Sequence, residues 1–321
     1  MRLFVTGAAG FIGSNYVRHV LATTDDEVTI FDALTYAGNR ANIADVVDDR
    51  RCRFVHADIC DQDAVVAHLA EHDAVVHFAA ESHVDRSIKD PYAFVRTNCH
   101  GTNVLCDVAT QVGVERFVHV STDEVYGTIA EGSFAETDPL TPRSPYSAAK
   151  AGSDLIALSY WTTHGLPVVV TRSSNQFGPY QFPEKVIPLF VTNLLDGKAV
   201  PLYGDGLNVR DWLFVEDNVR AIDLVLRNGE PGEIYNVGAH NELPNIVLTR
   251  KLLALCGRDE SFIEPVADRL GHDRRYSITT DKIAALGWHT EHELDDALAR
   301  TVGWYRDNRA WWAPLPARAA F

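Results

Sequence analysis

RLFVTGAAGFIGSNYV, residues 2–17, decides the fold. An apolar, strand-like run enters glycines at Gly7, Gly10 and Gly13, and helical patterning follows over 12–22. Glycine permits the tight turn and lets the backbone come close to a pyrophosphate. The N-terminus of the next helix then faces that negative charge. Phe11 and Ile12, between the last two glycines, fall on the same surface. A glycine-rich turn alone is a weak signal. Here a strand precedes it, a helix follows, and an acid stands about 20 residues further on. That acid is Asp32, ending "EVTIFD" (27–32). A carboxylate there binds both ribose hydroxyls and repels a 2′-phosphate, so the expected cofactor is NAD rather than NADP.

Outward from this unit the same grammar repeats. "CRFVHAD" (52–58), "AVVHFAA" (74–80), "RFVHVST" (116–122), "PVVVTRSSN" (167–175) and "EIYNVG" (233–238) are further short β-rich runs. They are nearly continuously apolar, as strands covered on both faces must be. Stretches of helical length, 61–71, 99–112 and 146–164, lie between them. Alternating strand and helix predicts an α/β fold, a doubly wound parallel sheet of Rossmann type. The alternation fades after about residue 175, where prolines, loops and short helices such as "FPEKVIPLFVTNLLDG" (182–197) take over. Leu294, Leu298, Val302 and Tyr305 then recur at helical spacing. The reading is a nucleotide-binding domain over 1–174, with 214–240 returning to it. A smaller, partly interleaved C-terminal substrate lobe occupies most of 175–321. Trp304, Trp311 and Trp312 are read as packing residues rather than a ligand cage.

Composition excludes several function classes. The formal net charge of −15 argues against nucleic acid or an anionic membrane as partner. No apolar run is long enough for a membrane helix. Five cysteines, at 52, 60, 99, 106 and 256, show no CxxC spacing. Reduced thiols, a cytoplasmic location and no metal site are the expectation.

Two motifs carry chemistry. In "SPYSAAK" (144–150), Ser144 caps a helix, Pro145 fits its first position, and Tyr146 and Lys150 share one face four residues apart. An ammonium and a helix N-terminus both stabilise a phenolate, so Tyr146 is expected to act as a base near neutral pH. In "STDEVYG" (121–127), Asp123 and Glu124 stand side by side after the Thr122 hydroxyl, where a buried strand should end. Successive residues of a regular strand point to opposite faces. Both acids reach one site only if the strand ends or bends at 122–124. Elsewhere, Asp58 ends the third strand and is read as meeting an adenine edge, or else as an ordinary loop-start Asp. Phe78, Ala79 and Ala80 end the fourth strand, and the two alanines leave room for a cofactor.

The glycine spacing, Thr122 and the YxxxK pair resemble the extended short-chain dehydrogenase/reductase family. Within it, "FAAESHVDRS" (78–87), "STDEVYG", "SPYSAAKAGSD" (144–154), "GPYQFPEKVIPLF" (178–190), "LYGDGLNVRDW" (202–212) and "GHDRRY" (271–276) together are similar to the dTDP-glucose 4,6-dehydratases, over essentially the whole chain. The adjacent Asp–Glu pair separates that family from sugar-nucleotide 4-epimerases. What the resemblance implies is oxidation at sugar carbon 4, loss of water across carbons 5 and 6, and reduction at carbon 6. Tyr146 would take the 4-hydroxyl proton, with Thr122 bonded to the same oxygen. Glu124 would remove the carbon 5 proton and Asp123 would protonate the departing 6-hydroxyl. NAD would be recycled.

The same resemblance extends the expected cofactor contacts to Ala33, Leu34, Thr35, Ile59, Thr97 and Ser82. It assigns dTDP-glucose contacts to Ser82, Asn175, Lys185, Val186 and Arg210. Pro201, Leu202 and Tyr203 would flank the base, and Asn245 with Arg269, His272 and Tyr276 would close over it. Arg274 and Arg275 are further candidate cations. The chain departs from the family in reading "NQFG" (175–178) for "NNYG". Gln176 falls where the family's residue lies against the nicotinamide ribose, and Phe177 lacks a hydroxyl. Helices 99–112 and 146–164 would form a homodimer contact. The alternatives are another nucleotide-sugar dehydratase, epimerase or decarboxylase, or an NAD-sensing protein without catalysis.

Overall fold

The computed structural model describes residues 1–269 and 271–315; Leu270 and residues 316–321, the end of the predicted second lobe, lie outside the described residues. The first half alternates as the sequence predicts: β1 (Arg2–Thr6), α1 (Phe11–Thr23), β2 (Glu27–Asp32), β3 (Cys52–His56), α2 (Gln62–Leu69), β4 (Ala74–His77), α3 (Val84–Lys89), α4 (Pro91–Phe94), α5 (Thr102–Val112), β5 (Arg116–Thr122), α6 (Pro145–His164) and β6 (Val168–Ser173). The second half is less regular: β7 (Asn175–Phe177), α7 (Val186–Leu195), β8 (Val200–Tyr203), β9 (Val209–Phe214), α8 (Val215–Asn228), β10 (Ile234–Val237), β11 (Glu242–Pro244), α9 (Asn245–Leu255), β12 (Ile263–Val266), α10 (Asp281–Ala285), α11 (Leu294–Asp307) and α12 (Arg309–Trp312).

Seven strands form one parallel sheet in the order β10-β6-β5-β4-β1-β2-β3. Val5 pairs with Ile30 on one side and Val76 on the other, all fully buried. Full burial of each such side chain contributes about 1.5–3 kcal/mol. The chain winds outward from β1 in both directions, so the sheet has its switch point between β1 and β4. Ligands of open α/β sheets bind there, beyond the carboxyl ends of the strands.

One local feature differs from the plain reading. The predicted helix over 99–112 begins earlier. Asp90 caps α4, with Pro91 in its first position, and a π-helical turn over Val95–Gly101 joins α4 to α5. The widened turn brings Asn98 to the β4–α3 loop, where its amide both accepts from Glu81 N (2.9 Å) and donates to Glu81 O (3.0 Å). α6 starts with a reciprocal capping box between Ser144 and Ser147 and ends at Gly165, whose φ of 72° is the left-handed stop.

The second lobe has its own core. Leu298, Val302 and Tyr305 of α11 pack with α7 and α9 around Phe177, Trp212 and Phe214. Trp312 is buried there, and Trp304 and Trp311 stack on Tyr180 at 4.7 and 5.9 Å. These tryptophans are packing residues. The chain leaves the large sheet after β6 and comes back: α8 packs on α1, and β10 pairs with β6. Among the described residues, no helix is long and apolar enough to cross a membrane.

Candidate active site

A cleft of about 490 Å³ opens over the carboxyl ends of β1, β2, β4, β5 and β6, and the second lobe forms its far wall. It gathers nearly every residue expected at the site, from Gly7 to Tyr276. Leu34, Asp123, Arg274 and Arg275 fall outside its lining. Leu34 turns away, with a left-handed φ of 50°, and its amide instead holds Asp32. Asp123 is 2% exposed, between Thr122 and Glu124, which do line the cleft.

The glycine turn fits a dinucleotide. Gly7 has φ 70°, and a Cβ there would sit 2.5 Å from Ala79 N. A Cβ on Gly13 would lie 2.6 Å from Gly7 O. No other residue lets α1 come this close to β1. Asp32 accepts from Ala9 N and Leu34 N, each at 2.8 Å, which aims its carboxylate along the cleft. Burial raises the pKa of Asp32 and the two amides counter it. Ala33, Thr35, Asp58, Ile59 and Thr97 line the adenosine end, where Asp58 also pairs with Arg96 at 3.2 Å. These residues would hold NAD, whose reversible acceptance of hydride is the chemistry it supplies when bound.

The strand does end where the two acids require it. β5 stops at Thr122 and a 3₁₀ turn runs over Asp123–Tyr126. The Thr122 hydroxyl accepts from Glu124 N and donates to Asp123 Oδ1, both at 3.3 Å. Glu124 faces the cleft. The carboxyl of Asp123 is held well above the usual range, first by burial and then by Glu124 and Asp211. Its Oδ2 is buried with no hydrogen-bond partner. One acid is thereby held toward its protonated form beside one open to the cleft.

Tyr146 and Lys150 both line the cleft, on the first turns of α6. Lys150 Nζ donates to Val120 O at 2.8 Å, which fixes the ammonium against β5. The expectation that protein groups lower the Tyr146 phenol is not met. Burial, then Glu124, push it well above the ordinary value, and only the hydrogen bond with Thr122 works the other way. The sequence pattern contained the ammonium and the Glu124 carboxylate but not the burial.

On the substrate side, Lys185 Nζ donates to Ser82 O at 2.6 Å, joining the two lobes. Arg210 is 5% exposed; it donates to Val209 O and Asp273 O, and stacks 4.1 Å over Tyr276. Asn175 and Asn245 each line the cleft with a buried Oδ1 that has no hydrogen-bond partner, as suits groups awaiting a polar ligand. Val186, Pro201, Leu202, Tyr203, Arg269 and His272 complete this end. Arg274 and Arg275 do not belong to it: they pair with Asp205 and Glu242. Gln176 lines the cleft with its amide turned onto Ser174 O at 2.5 Å. Phe177 is fully buried against Phe214, so the missing hydroxyl touches nothing at the site.

Sequence reasoning missed Tyr36, Gly38 and Glu184. A Cβ on Gly38 would lie 2.7 Å from Asp32 Oδ1, so its glycine keeps that carboxylate free. Tyr36 lines the cleft with Arg86 stacked 3.9 Å over its ring, and Arg86 bonds Glu184 at 3.2 Å. The glycine after "TYA" was a readable signal; the stacked pair, from the loop after β2 and from α3, was not. Among the described residues, no cluster of His, Cys, Asp and Glu could hold a metal ion.

Comparison with known proteins agrees with this geometry. The family model for GDP-mannose 4,6 dehydratase matches residues 4–301. A dTDP-glucose 4,6-dehydratase from Streptomyces antibioticus is 57% identical, covering 100% of this chain and 97% of its own. The crystal structure of DesIV, a dTDP-glucose 4,6-dehydratase from Streptomyces venezuelae with NAD bound, superposes with a TM-score of 0.97 at 56% identity, covering 98% of this chain and all of DesIV. UDP-glucose 4-epimerase from Thermus thermophilus has a TM-score of 0.90 at 32% identity, covering 96% of this chain and all of its own, so the fold alone does not separate the two reactions. On the matched model and these full-length relatives, the chain belongs to the GDP-mannose 4,6-dehydratase family, alongside the dTDP-glucose 4,6-dehydratases that share more than half its sequence.

Proposed function

We propose that this chain dehydrates dTDP-glucose to dTDP-4-keto-6-deoxyglucose, with NAD as a recycled cofactor. The observation that carries the reading is the split of two adjacent acids, Asp123 buried with its carboxyl pushed up toward the protonated form, Glu124 open to the cleft. An epimerase, which eliminates no water, has no use for such a pair. Tyr146 takes the 4-hydroxyl proton, Thr122 bonds the same oxygen, and the carbon 4 hydride would pass to NAD. The ketone so formed acidifies the carbon 5 proton, and Glu124 removes it. Asp123 gives its proton to the 6-hydroxyl, which leaves as water; the hydride would then return from the reduced cofactor to carbon 6 as carbon 5 regains a proton. Lys185 and Arg210 are the cations beside the diphosphate.

The relatives' names support the substrate, and the DesIV structure supports NAD. Homodimer assembly through α5 and α6, in the cytoplasm, is part of the same reading. Exposed Leu155 on α6 and Val95 before α5 support that face, and sedimentation velocity checks it. The deciding experiment incubates the purified protein with dTDP-, UDP-, CDP- and GDP-hexoses, without added NAD, and weighs the products. Loss of one water from dTDP-glucose in preference to the others is expected; inversion at carbon 4 without loss of mass would overturn the reading.

A further inference from the structure

Behind Lys150, outside the cleft lining, lies a buried polar network that the reaction scheme leaves unused. Asp154 is one helical turn after Lys150 on α6 and is completely buried. Its Oδ2 takes Arg172 Nε at 2.9 Å, and its Oδ1 lies 3.2 Å from His119 Nε2. The same His119 nitrogen is 3.1 Å from Ser153 Oγ, which in turn donates to Lys150 O at 2.8 Å. Arg172 continues the chain to the Tyr126 hydroxyl at 2.9 Å, in the 3₁₀ turn that carries Asp123 and Glu124. One buried carboxylate is thus tied to both halves of the catalytic constellation.

We propose that Asp154, clamped by Arg172 and His119, is a positioning residue that keeps the Lys150 ammonium charged beside Tyr146. This rests on the reading of Tyr146 as the base. An ammonium taken fully out of water tends to lose its proton, and a fixed anion nearby counters that tendency. The groups facing Lys150 come from four elements: Asp154 from α6, His77 from β4, His119 from β5, and Cys99 from the π turn. Burial lowers the pKa of both histidines, helped at His77 by His119 and at both by Lys150, which disfavours their charged forms. Burial alone would raise the carboxyl of Asp154; His119 and Arg172 reverse this and keep it ionised. Lys150 ends lowered to about 8, by burial, with Asp154 the main opposing influence. That leaves the ammonium charged at neutral pH by a narrow margin.

Asp154→Asn alone strands Arg172 in the core. The variant to compare with it is Asp154→Asn with Arg172→Met, which removes both charges of the buried pair together and is tolerated far better than losing one partner. The chain has six lysines, so Lys150 can be followed by NMR with carbon-13 at Cε, without substrate. In the double variant Lys150 should titrate about one pH unit or more below the parent, the effect of losing a close opposite charge. The alkaline limb of the pH–rate profile should move down with it. Parent-like titration and a parent-like alkaline limb in a folded double variant would overturn the proposal and leave Asp154 as a mere partner for Arg172. A parent protein that dehydrates no nucleotide sugar would overturn the reading of the reaction, while the lysine titration would still decide the role of Asp154.

Discussion

At Thr122, Asp123 and Glu124 three consecutive side chains divide one task, and their division makes a sharp prediction. Tyr146→Phe removes the base for oxidation, so no reduced-nicotinamide absorbance should develop with substrate. Asp123→Asn and Glu124→Gln leave Tyr146, Lys150 and Thr122 in place. Oxidation should survive in both while elimination falls by roughly 10²–10⁴-fold, the usual contribution of a positioned proton-transfer group. Single-turnover absorbance beside the yield of dehydrated product checks this. Asp32 gives the second prediction. Asp32→Ala should weaken NAD by about 1.5–3 kcal/mol, the worth of hydrogen bonds to a charged group, and narrow the preference over NADP. Calorimetric titration of the cofactor-free protein with both dinucleotides measures it. Residue types and spacings made these side chains legible in the sequence. What stayed hidden was environment: that Asp123 is buried, that Leu34 turns away to hold Asp32 by its amide, and that burial raises Tyr146 instead of lowering it.

The elements were legible for a different reason. Parallel strands covered on both faces must be apolar throughout, and each of the seven strand stretches read from the sequence appears in the large sheet. Its cap announced α6 equally plainly, through Ser144 and Pro145. Because that cap fixes the first turn, which carries Tyr146, Ser144→Ala should cost about 1 kcal/mol of stability. Thermal melting measures the loss, and catalysis should fall further than stability alone requires. The π-helical turn before α5 had no such announcement. It accompanies a tertiary contact, Asn98 with the Glu81 backbone, and nothing in the local pattern of "VRTNCHG" distinguishes it from an ordinary helical turn.

At the scale of the whole molecule, the buried groups set the response to acid. His119 is fully buried and its pKa is lowered to about 4, by burial first and then by Lys150. A group whose folded pKa lies below its unfolded value binds fewer protons in the native state. Its stabilising contribution is therefore complete above about pH 6.5 and is lost as pH falls toward the folded value, on the order of 3 kcal/mol in all. In His119→Gln that share of the acid slope should vanish. Urea unfolding of parent and variant at pH 7 and pH 4.5 should show their difference in stability narrowing at the lower pH. No inspection of the sequence reveals this core, because His77, His119, Asp154 and Arg172 are contributed by four separate elements. The path of the chain back from β9 through α8 to β10 has a further consequence, for inheritance. A single genetic crossover at the end of β6 would give a recombinant whose last sheet strand, and the helix packed on α1, descend from a different parent than their neighbours. Swapping substrate specificity between relatives by recombination thus requires two junctions around the α8–β10 segment, and lineages are expected to diverge by point change within the second lobe more readily than by exchange of it whole.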